Sequence, residues 1–171
     1  MSRSKIHEPP FAGPSWAAAS IWLVAALLAQ VTIVHAMAFR GVEPSLVLVA
    51  VVWFAIRVNA QRAAIYGLAA GLAEDVLATA TGGAWTISTT LVAIIAGALS
   101  RGFFADSLPL VCTIAAIATL LRLLIFWIVM AFERYPSGLA TMHFHEALIG
   151  AALNAGVMLI AMLAVRRYDA S

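Results

Sequence analysis

The chain consists of long apolar runs that short polar stretches separate. A continuous apolar run of about 20 residues is the length of a helix that crosses a lipid bilayer, whereas strands are much shorter. The runs therefore predict an all-α fold, a polytopic inner-membrane bundle of six short transmembrane helices. The predicted spans are Trp16–Phe39, Ser45–Ile56, Ala63–Ala80, Ala84–Leu99, Leu108–Phe132 and Ala147–Val165.

Polar residues divide the chain into three parts. Residues 1–15 are rich in Pro and Ser and predict a disordered cytoplasmic tail. Residues 16–166 form the predicted transmembrane domain, and 167–171 form a short second tail. The stretch from Glu133 to His145 is predicted as the longest internal loop. Ala36-Met37-Ala38 has the form of a signal cleavage site. The first apolar run is longer than the 7–15 residues of the apolar region of a signal peptide, so a retained helix is expected.

The composition supports this interpretation. Apolar residues make up 64% of the chain and charged residues 11%, whereas a soluble domain is about half apolar and a quarter charged. A water-soluble enzyme and a disordered chain are therefore excluded. The net charge of +2 includes no basic stripe on a polar surface, so nucleic acid is not an expected partner. The single Cys112 cannot form an internal disulfide.

The distribution of Lys and Arg predicts the orientation of the helices. If all six runs cross the membrane, Arg40 and Arg134 lie on one side and Arg122 lies within the membrane. The other side carries seven basic residues, Arg3, Lys5, Arg57, Arg62, Arg101, Arg166 and Arg167. Because positive charge favours the cytoplasmic side, both termini are predicted to be cytoplasmic.

Ionisable groups are costly inside the predicted spans, and four polar residues there matter for the interpretation. They are Glu74, Asp75, Arg122 and Asn154. Helix rise places the last three about 17–21 Å from the cytoplasmic side, at a similar depth. An ion pair between Arg122 and Asp75 or Glu74 is therefore allowed. The set has three interpretations: a structural pair that fixes helix packing, a patch that docks a partner's transmembrane helix, or a path for protons or substrate.

Small residues occur at helix-packing intervals. Gly67-x-x-x-Gly71 and Ala93-x-x-x-Gly97 are small-xxx-small pairs, which let helix backbones approach closely, and Gly150 lies on the last span. We expect these residues to mark helix contacts, within the chain or with a partner span.

No residues predict a catalytic, metal or cofactor site. His143, His145 and Glu146 could bind a metal, but the histidine spacing does not place them on one helix face. The start of an interfacial helix is the favoured role, with Glu146 near its N-terminus. Gly71-x-x-x-Asp75 matches half of the CDP-alcohol phosphotransferase signature, but Thr79 stands where a further Asp is needed. The five Trp residues mostly lie near predicted span ends, as in an aromatic belt.

The middle of the chain resembles the bacterial rod shape-determining protein MreD family. The resemblance rests on Glu43-Pro44-Ser45-Leu46, on the helix Gly71-Leu72-Ala73-Glu74-Asp75-Val76-Leu77 and on the turn at Gly82-Gly83. Asn154 and the basic end Arg166-Arg167 resemble the family's closing segment. The positions that match the family motif are Pro44, Gly71, Asp75 and Gly83. Val76 replaces the usual Leu, and the turn lacks the family's Ser-Gly.

The resemblance implies a non-catalytic scaffold or regulatory subunit of the complex that elongates rod-shaped bacteria. The implied partners are an MreC-like protein first, then MreB, RodA, the elongation-specific penicillin-binding protein and membrane lipid. The resemblance implies no cofactor. The alternative class is the substrate-binding membrane subunit of a vitamin importer, to whose cavity Trp85, His143 and His145 could contribute.

Overall fold

A computed structural model describes residues 13–78, 81–100, 107–134 and 137–169. Over these ranges the chain forms six α-helices, one short 3-10 turn and no β-strand, so the all-α prediction is confirmed. The helices are α1 (Trp16–Thr32), α2 (Leu46–Ala55), α3 (Ala60–Ala78), α4 (Ala84–Ser100), α5 (Leu108–Phe132) and α6 (Ser137–Asp169). Residues 1–12 of the predicted tail, together with Thr79, Ala80 and Arg101, lie outside the described residues.

The helices begin where the sequence supplies capping groups. The Ser15 hydroxyl accepts from the backbone N–H of Ala18 at 3.2 Å and so caps α1. Ser45 caps α2 and Asn59 caps α3 in the same way. Pro109 stands in the first turn of α5, where its missing N–H is not needed.

Successive helices run antiparallel, so the bundle has two ends. At the end that we call the termini end, the Arg62 guanidinium donates to the Pro14 carbonyl at 3.1 Å. At the opposite end, the hairpin end, Gly82 of the α3–α4 turn lies against the Glu133 side chain. Contacts along each neighbouring pair, such as Trp85 with Phe126 and Trp127 with His143, agree with this alternation.

The shortest helix, α2, lies at the centre of the bundle. It is 10 residues long, apolar throughout, and it contacts each of the other five helices. A helix that is apolar on all sides needs burial on all sides, and seven of the ten α2 residues are buried. The faces of the other helices that point away from α2 carry large exposed apolar side chains, such as Ile21, Val76 and Ile160.

Length and apolarity together separate α5 and α6 from the other helices. In the described part of the chain, Leu108–Phe132 and His143–Arg167 are the two segments both long and apolar enough to cross a membrane alone. Trp16–Thr32, Leu46–Ala55 and Ala84–Leu99 are apolar but shorter. At a rise of about 1.5 Å per residue, α2 is about 15 Å long.

The predicted first helix is wrong at its end. The α-helix stops at Thr32, not at Phe39, and a 3-10 turn at Val34–Met37 follows. The Thr32 hydroxyl donates to the Leu28 carbonyl at 2.6 Å. A tight turn then pairs Phe39 with Val42, with Arg40 and Gly41 at positive φ. This connection brings the start of α2 back against α1.

The predicted loop from Glu133 to His145 is also wrong. The α6 helix begins at Ser137, ten residues before the predicted Ala147. Glu146 therefore lies inside α6 and not near its N-terminus. The segment from Leu139 to Glu146 contains no Gly or Pro, so its polar Thr, His and Glu residues are compatible with a helix.

Candidate functional site

A buried ion pair joins α5 to α3. One terminal nitrogen of Arg122 donates to the Glu74 carboxylate at 2.5 Å, and the side chains are 5% and 13% exposed. The Thr89 hydroxyl of α4 donates to the same Glu74 oxygen at 3.3 Å. Of the two pairings that the sequence allows for Arg122, the fold has the one with Glu74. A buried charge with its partner removed is strongly destabilising, so the pair constrains how these helices pack.

The rest of the Arg122 guanidinium contacts α2 and α4. Its second terminal nitrogen donates to the Ser45 hydroxyl at 2.8 Å. The guanidinium carbon lies 4.3 Å from the centre of the Trp85 ring, a cation–π distance. The Nε atom is buried and has no hydrogen-bond partner. Arg122 therefore links three helices to α5.

The N-terminus of α2 lies in the interior of the bundle, where side chains from α1 and α6 cap it. The backbone N–H of Ser45 donates to the Asn154 side-chain oxygen at 2.7 Å. The backbone N–H of Leu46 donates to the Gln30 side-chain oxygen at 2.7 Å, and the Gln30 amide donates to the Pro44 carbonyl at 3.2 Å. The N–H groups of Ser45 and Leu46, which would be costly if left free in an apolar interior, are thus satisfied.

These contacts form one polar network that includes all six helices. The Asn154 amide also donates to the Thr119 hydroxyl of α5 at 2.9 Å. We define the polar network as Gln30, Ser45, Glu74, Thr89, Thr119, Arg122 and Asn154. Arg122 and Asn154 lie near the middle of α5 and α6, the two longest helices. The network therefore fixes the mutual depth of the helices.

Asp75 lies apart from Arg122 and caps α4. Its carboxylate accepts from the backbone N–H groups of Trp85 and Thr86, at 3.2 and 2.8 Å. It also accepts from the hydroxyls of Thr81 and Thr86. A carboxylate at a helix start is favoured by the N–H groups and by the helix dipole. Asp75 therefore fixes the turn from α3 into α4.

The small residues of α3 and α4 lie between those two helices. A Cβ on Gly71 would meet the Thr86 Cα at 2.6 Å, and one on Gly67 would meet the Ala93 Cβ at 2.6 Å. A Cβ on Gly97 would meet the Ala63 Cβ at 2.8 Å. Gly71 and Asp75 are one turn apart on the same face of α3. Gly71 thus allows the close approach that lets Asp75 reach the α4 backbone.

The remaining motif positions have separate roles. Gly83 has a φ of +96°, a conformation that suits glycine, at the start of α4. Pro44 offers its carbonyl to Gln30 and precedes the Ser45 cap. A Cβ on Gly150 would lie 3.7 Å from a methyl group of Val42 in the α1–α2 connection, which is an ordinary van der Waals distance.

Sequence reasoning missed Gln30, Ser45 and Trp85 as members of the site. Ser45 follows a Pro and precedes an apolar run, which is a recognisable N-cap signal. Trp85 lies near the start of a predicted span, and in the fold its ring contacts Arg122 and Phe126. No signal in the sequence singles out Gln30, because one amide in an apolar helix has many possible partners.

The described charged groups of the interior are held by other groups of the chain. Among the described residues, no group of three or more His, Cys, Asp or Glu is placed to hold a metal ion. The chemistry of the site is that of a fixed framework of hydrogen bonds around one ion pair.

Comparison with known proteins gives one family. The model of the rod shape-determining protein MreD family matches residues 12–168, nearly the whole chain. No curated protein and no solved structure matches the chain. The chain belongs to the MreD family of rod shape-determining proteins, which are membrane proteins.

Proposed function

We propose that this MreD-family chain is a non-catalytic scaffold or regulatory subunit of the bacterial cell-elongation complex. The family match establishes a role in rod-shape determination. MreD proteins are shape-determining structural proteins and are not known as enzymes. The proposal adds that the chain links an MreC-like protein with MreB, RodA and the elongation-specific penicillin-binding protein of the same complex.

The observation that carries the proposal is the polar network. It joins all six helices, and both ends of its single ion pair are nearly buried. A framework held in this way presents fixed outer faces and short loops to partners. In a transport subunit, polar groups would instead be expected to converge on a substrate cavity.

The topology is part of the proposal. We infer that all six helices of residues 16–166 lie in the inner membrane, with both termini cytoplasmic. The antiparallel order of the helices supports this arrangement. So does the placement of Arg57 and Arg62 at the termini end and of Arg40 and Arg134 at the other. The short α2 is accommodated because N–H groups at its start donate to side chains of other helices within the bundle.

We propose that the polar residues predicted from the sequence hold the bundle together and do not bind a partner's transmembrane helix directly. Glu74, Arg122 and Asn154 belong to the polar network, and Asp75 caps α4. The hydrogen bonds described for these four residues join them to other residues of the same chain. A partner helix is therefore expected to bind an outer face, whose shape depends on this framework.

Depletion of the protein in its host, followed by imaging, tests the proposal. Rods that become round and then lyse are the expected result, and normal rods would refute it. Wild-type chain should restore the rods. The Asp75→Asn chain should insert into the membrane normally but recover less of the MreC-like protein on purification. Normal recovery would refute a role for the α3–α4 framework in assembly.

A further inference from the structure

The connection between α1 and α2 lies against the middle of α6. A Cβ on Gly150 would lie 3.7 Å from a methyl group of Val42, and three residues later the Ser45 N–H donates to Asn154. Gly150 stands seven residues inside His143–Arg167, the segment of α6 that is long and apolar enough to cross a membrane. At about 1.5 Å per residue, Val42 therefore lies about 10 Å inside the hairpin-side limit of that segment.

Helix lengths give a similar difference between two sides of the bundle. Both α1 and α5 begin at the termini end, and they are 17 and 25 residues long. Their lengths are thus about 25 and 37 Å, against about 30 Å for the hydrocarbon core of a bilayer. The α5 helix can cross that core, whereas α1 ends about 5 Å short of crossing it. The bundle is therefore thinner on the α1 side, and its thin part ends at the α1–α2 connection.

The connection is polar, non-helical and exposed. The His35 ring nitrogen lies 3.4 Å from the Glu43 carboxylate, and both side chains are exposed. Arg40 is exposed at the tip of the turn, where it has positive φ. A Cβ on the adjacent Gly41 would meet no atom within 4 Å. The described part of the chain therefore leaves the tip of this turn uncovered.

We propose that the hairpin-side leaflet dips over the α1–α2 connection, so that water and phospholipid headgroups reach it. We call this place the headgroup recess, and its floor is formed by residues 33–43. Charged side chains and non-helical backbone are costly in hydrocarbon unless protein or water satisfies them. The proposal rests on the membrane topology proposed above, in particular on α5 and α6 crossing the bilayer, and it does not depend on the scaffold role.

The residues of the recess are those of a membrane interface. The Arg40 guanidinium carbon lies 5.6 Å from the centre of the exposed Phe39 ring. At the termini end, the Arg62 guanidinium carbon lies 5.1 Å from the ring of Trp16, which begins α1. Arg and aromatic side chains favour the headgroup level. The two pairs therefore mark both limits of the hydrocarbon along α1, and exposed apolar residues such as Leu28 lie between them.

A local dip of the leaflet is physically accessible. Bilayers accommodate a short hydrophobic helix by thinning next to it, at modest cost for each ångström of mismatch. On the side of α5 and α6 the longer helices match a bilayer of full thickness. The chain would therefore impose two thicknesses on the lipid around it, with the thin side at α1.

Cysteine labelling of the full chain in vesicles tests the proposal. Cys112, the only cysteine of the chain, is first replaced by Ala. Single cysteines are then placed at Ala38 in the recess and at Ala152 on α6. Both alanines are exposed, and Ala152 stands two residues from Gly150, so the same substitution is compared at a similar depth.

The variants are reconstituted in phosphatidylethanolamine–phosphatidylglycerol vesicles with a charged, membrane-impermeant maleimide on both sides. We expect Ala38→Cys to be labelled at least about tenfold faster than Ala152→Cys, because the reacting species is the thiolate, which forms in water and not in hydrocarbon. Thr141→Cys, at an exposed position of α6 outside His143–Arg167, is the positive control. Circular dichroism checks that each variant is folded.

Spin labels at the same two cysteines measure water without requiring a reaction. At Ala38, a water-soluble nickel complex should relax the label more strongly than oxygen does. At Ala152 the order should be reversed, because oxygen is concentrated in the hydrocarbon. The second measurement is decisive if protein around Ala38 slows the maleimide for steric reasons.

Two results would overturn the proposal. If Ala38→Cys is as slow as Ala152→Cys and its spin label favours oxygen, while Thr141→Cys reacts fast, hydrocarbon covers the connection. The six-helix topology would then stand without the recess. Fast labelling of Ala152→Cys would show that α6 does not cross the membrane at this depth, and it would overturn the topology as well. The scaffold role is judged separately, by the shape of depleted cells.

Discussion

The α3 helix has two sides that interact with their neighbours in opposite ways. Toward α4 it presents Gly67, Gly71 and Asp75, and the two backbones come into contact. Toward α1 it presents Leu72 and Val76, and the helices diverge around a groove. Lipid tails are as apolar as Leu, so aliphatic side chains alone give helices little reason to associate in a membrane. Small residues and hydrogen bonds therefore decide which neighbour α3 holds tightly.

Arg122→Ala should have the largest effect on the tight side. It leaves the Glu74 carboxylate buried without its cation, which costs about 3–5 kcal/mol of the free energy of unfolding. Titration of the purified protein in mixed micelles with sodium dodecyl sulfate measures the change. The control is Arg134→Asn, because Arg134 is exposed and Asn tolerates its positive φ.

The double variant Arg122→Met with Glu74→Leu sharpens this prediction. Replacing both partners with apolar residues removes the unpaired charge, and it should restore most of the lost stability. A double variant as unstable as Arg122→Ala would show that the contacts of Arg122 with Ser45 and Trp85, and not the ion pair, hold the bundle.

Gly71→Ala should have the next largest effect. The new Cβ meets backbone atoms of Trp85 and Thr86 at 2.6–3.0 Å, so α4 must move away, and overpacking of this kind costs about 1–3 kcal/mol. In the matched control, Gly156→Ala in α6, the Cβ meets no atom within 4 Å. That control should be neutral or more stable by about 0.5–1 kcal/mol, because Ala favours a helix. Equal loss in both variants would contradict the α3–α4 contact.

Asp75→Asn should destabilise the chain by about 1–2 kcal/mol, because an amide nitrogen cannot accept the hydrogen bonds that one carboxylate oxygen accepts. Hydrogen exchange at the amides of Trp85 and Thr86 should increase, since both donate to Asp75. Glu146→Gln makes the same chemical change at an exposed position and should leave both readouts unchanged.

Val76→Ala, on the loose side of α3, should have the smallest effect. Val76 is mostly exposed, and such substitutions usually change stability by less than about 0.5 kcal/mol. The same micelle titration measures it. A loss comparable to that of Gly71→Ala would show that the side toward α1 is tightly packed after all.

Much of the fold could be predicted because each long apolar run in the sequence indicates one helix. The bounds of α5 match the prediction at both ends, and α2 and α4 agree within a residue or two. The end of α1 and the start of α6 could not be placed. An apolar run continues through the 3-10 turn at Val34–Met37, and the polar residues before Ala147 are helical. The hydropathy of a segment indicates whether it lies in an apolar or a polar environment, but it does not indicate whether its backbone is α-helical.

The candidate site could be predicted in its residues but not in its pairings. Glu74, Asp75, Arg122 and Asn154 are conspicuous because polar groups are rare in such runs. Adjacent carboxylates on a helix point about 100° apart, so only the packed structure decides that Glu74 meets Arg122 and Asp75 meets α4. Of the neutral partners, Ser45 has an N-cap signal in the sequence, whereas the role of Gln30 is evident only from its contacts with the start of the short α2.

The cap of α2 has a consequence for the order of synthesis. The hydrogen bonds that hold Ser45 come from residues made much later. Arg122 follows Ser45 by 77 residues in the chain, and Asn154 follows it by 109. At about 5–20 residues per second, a ribosome needs roughly 5–20 s to reach Asn154 after making Ser45. During that time α2, too short to span the bilayer alone, has an incomplete cap. The second helix to be made is therefore among the last to have its cap completed, and in the proposed six-helix membrane topology its insertion would depend on helices made after it.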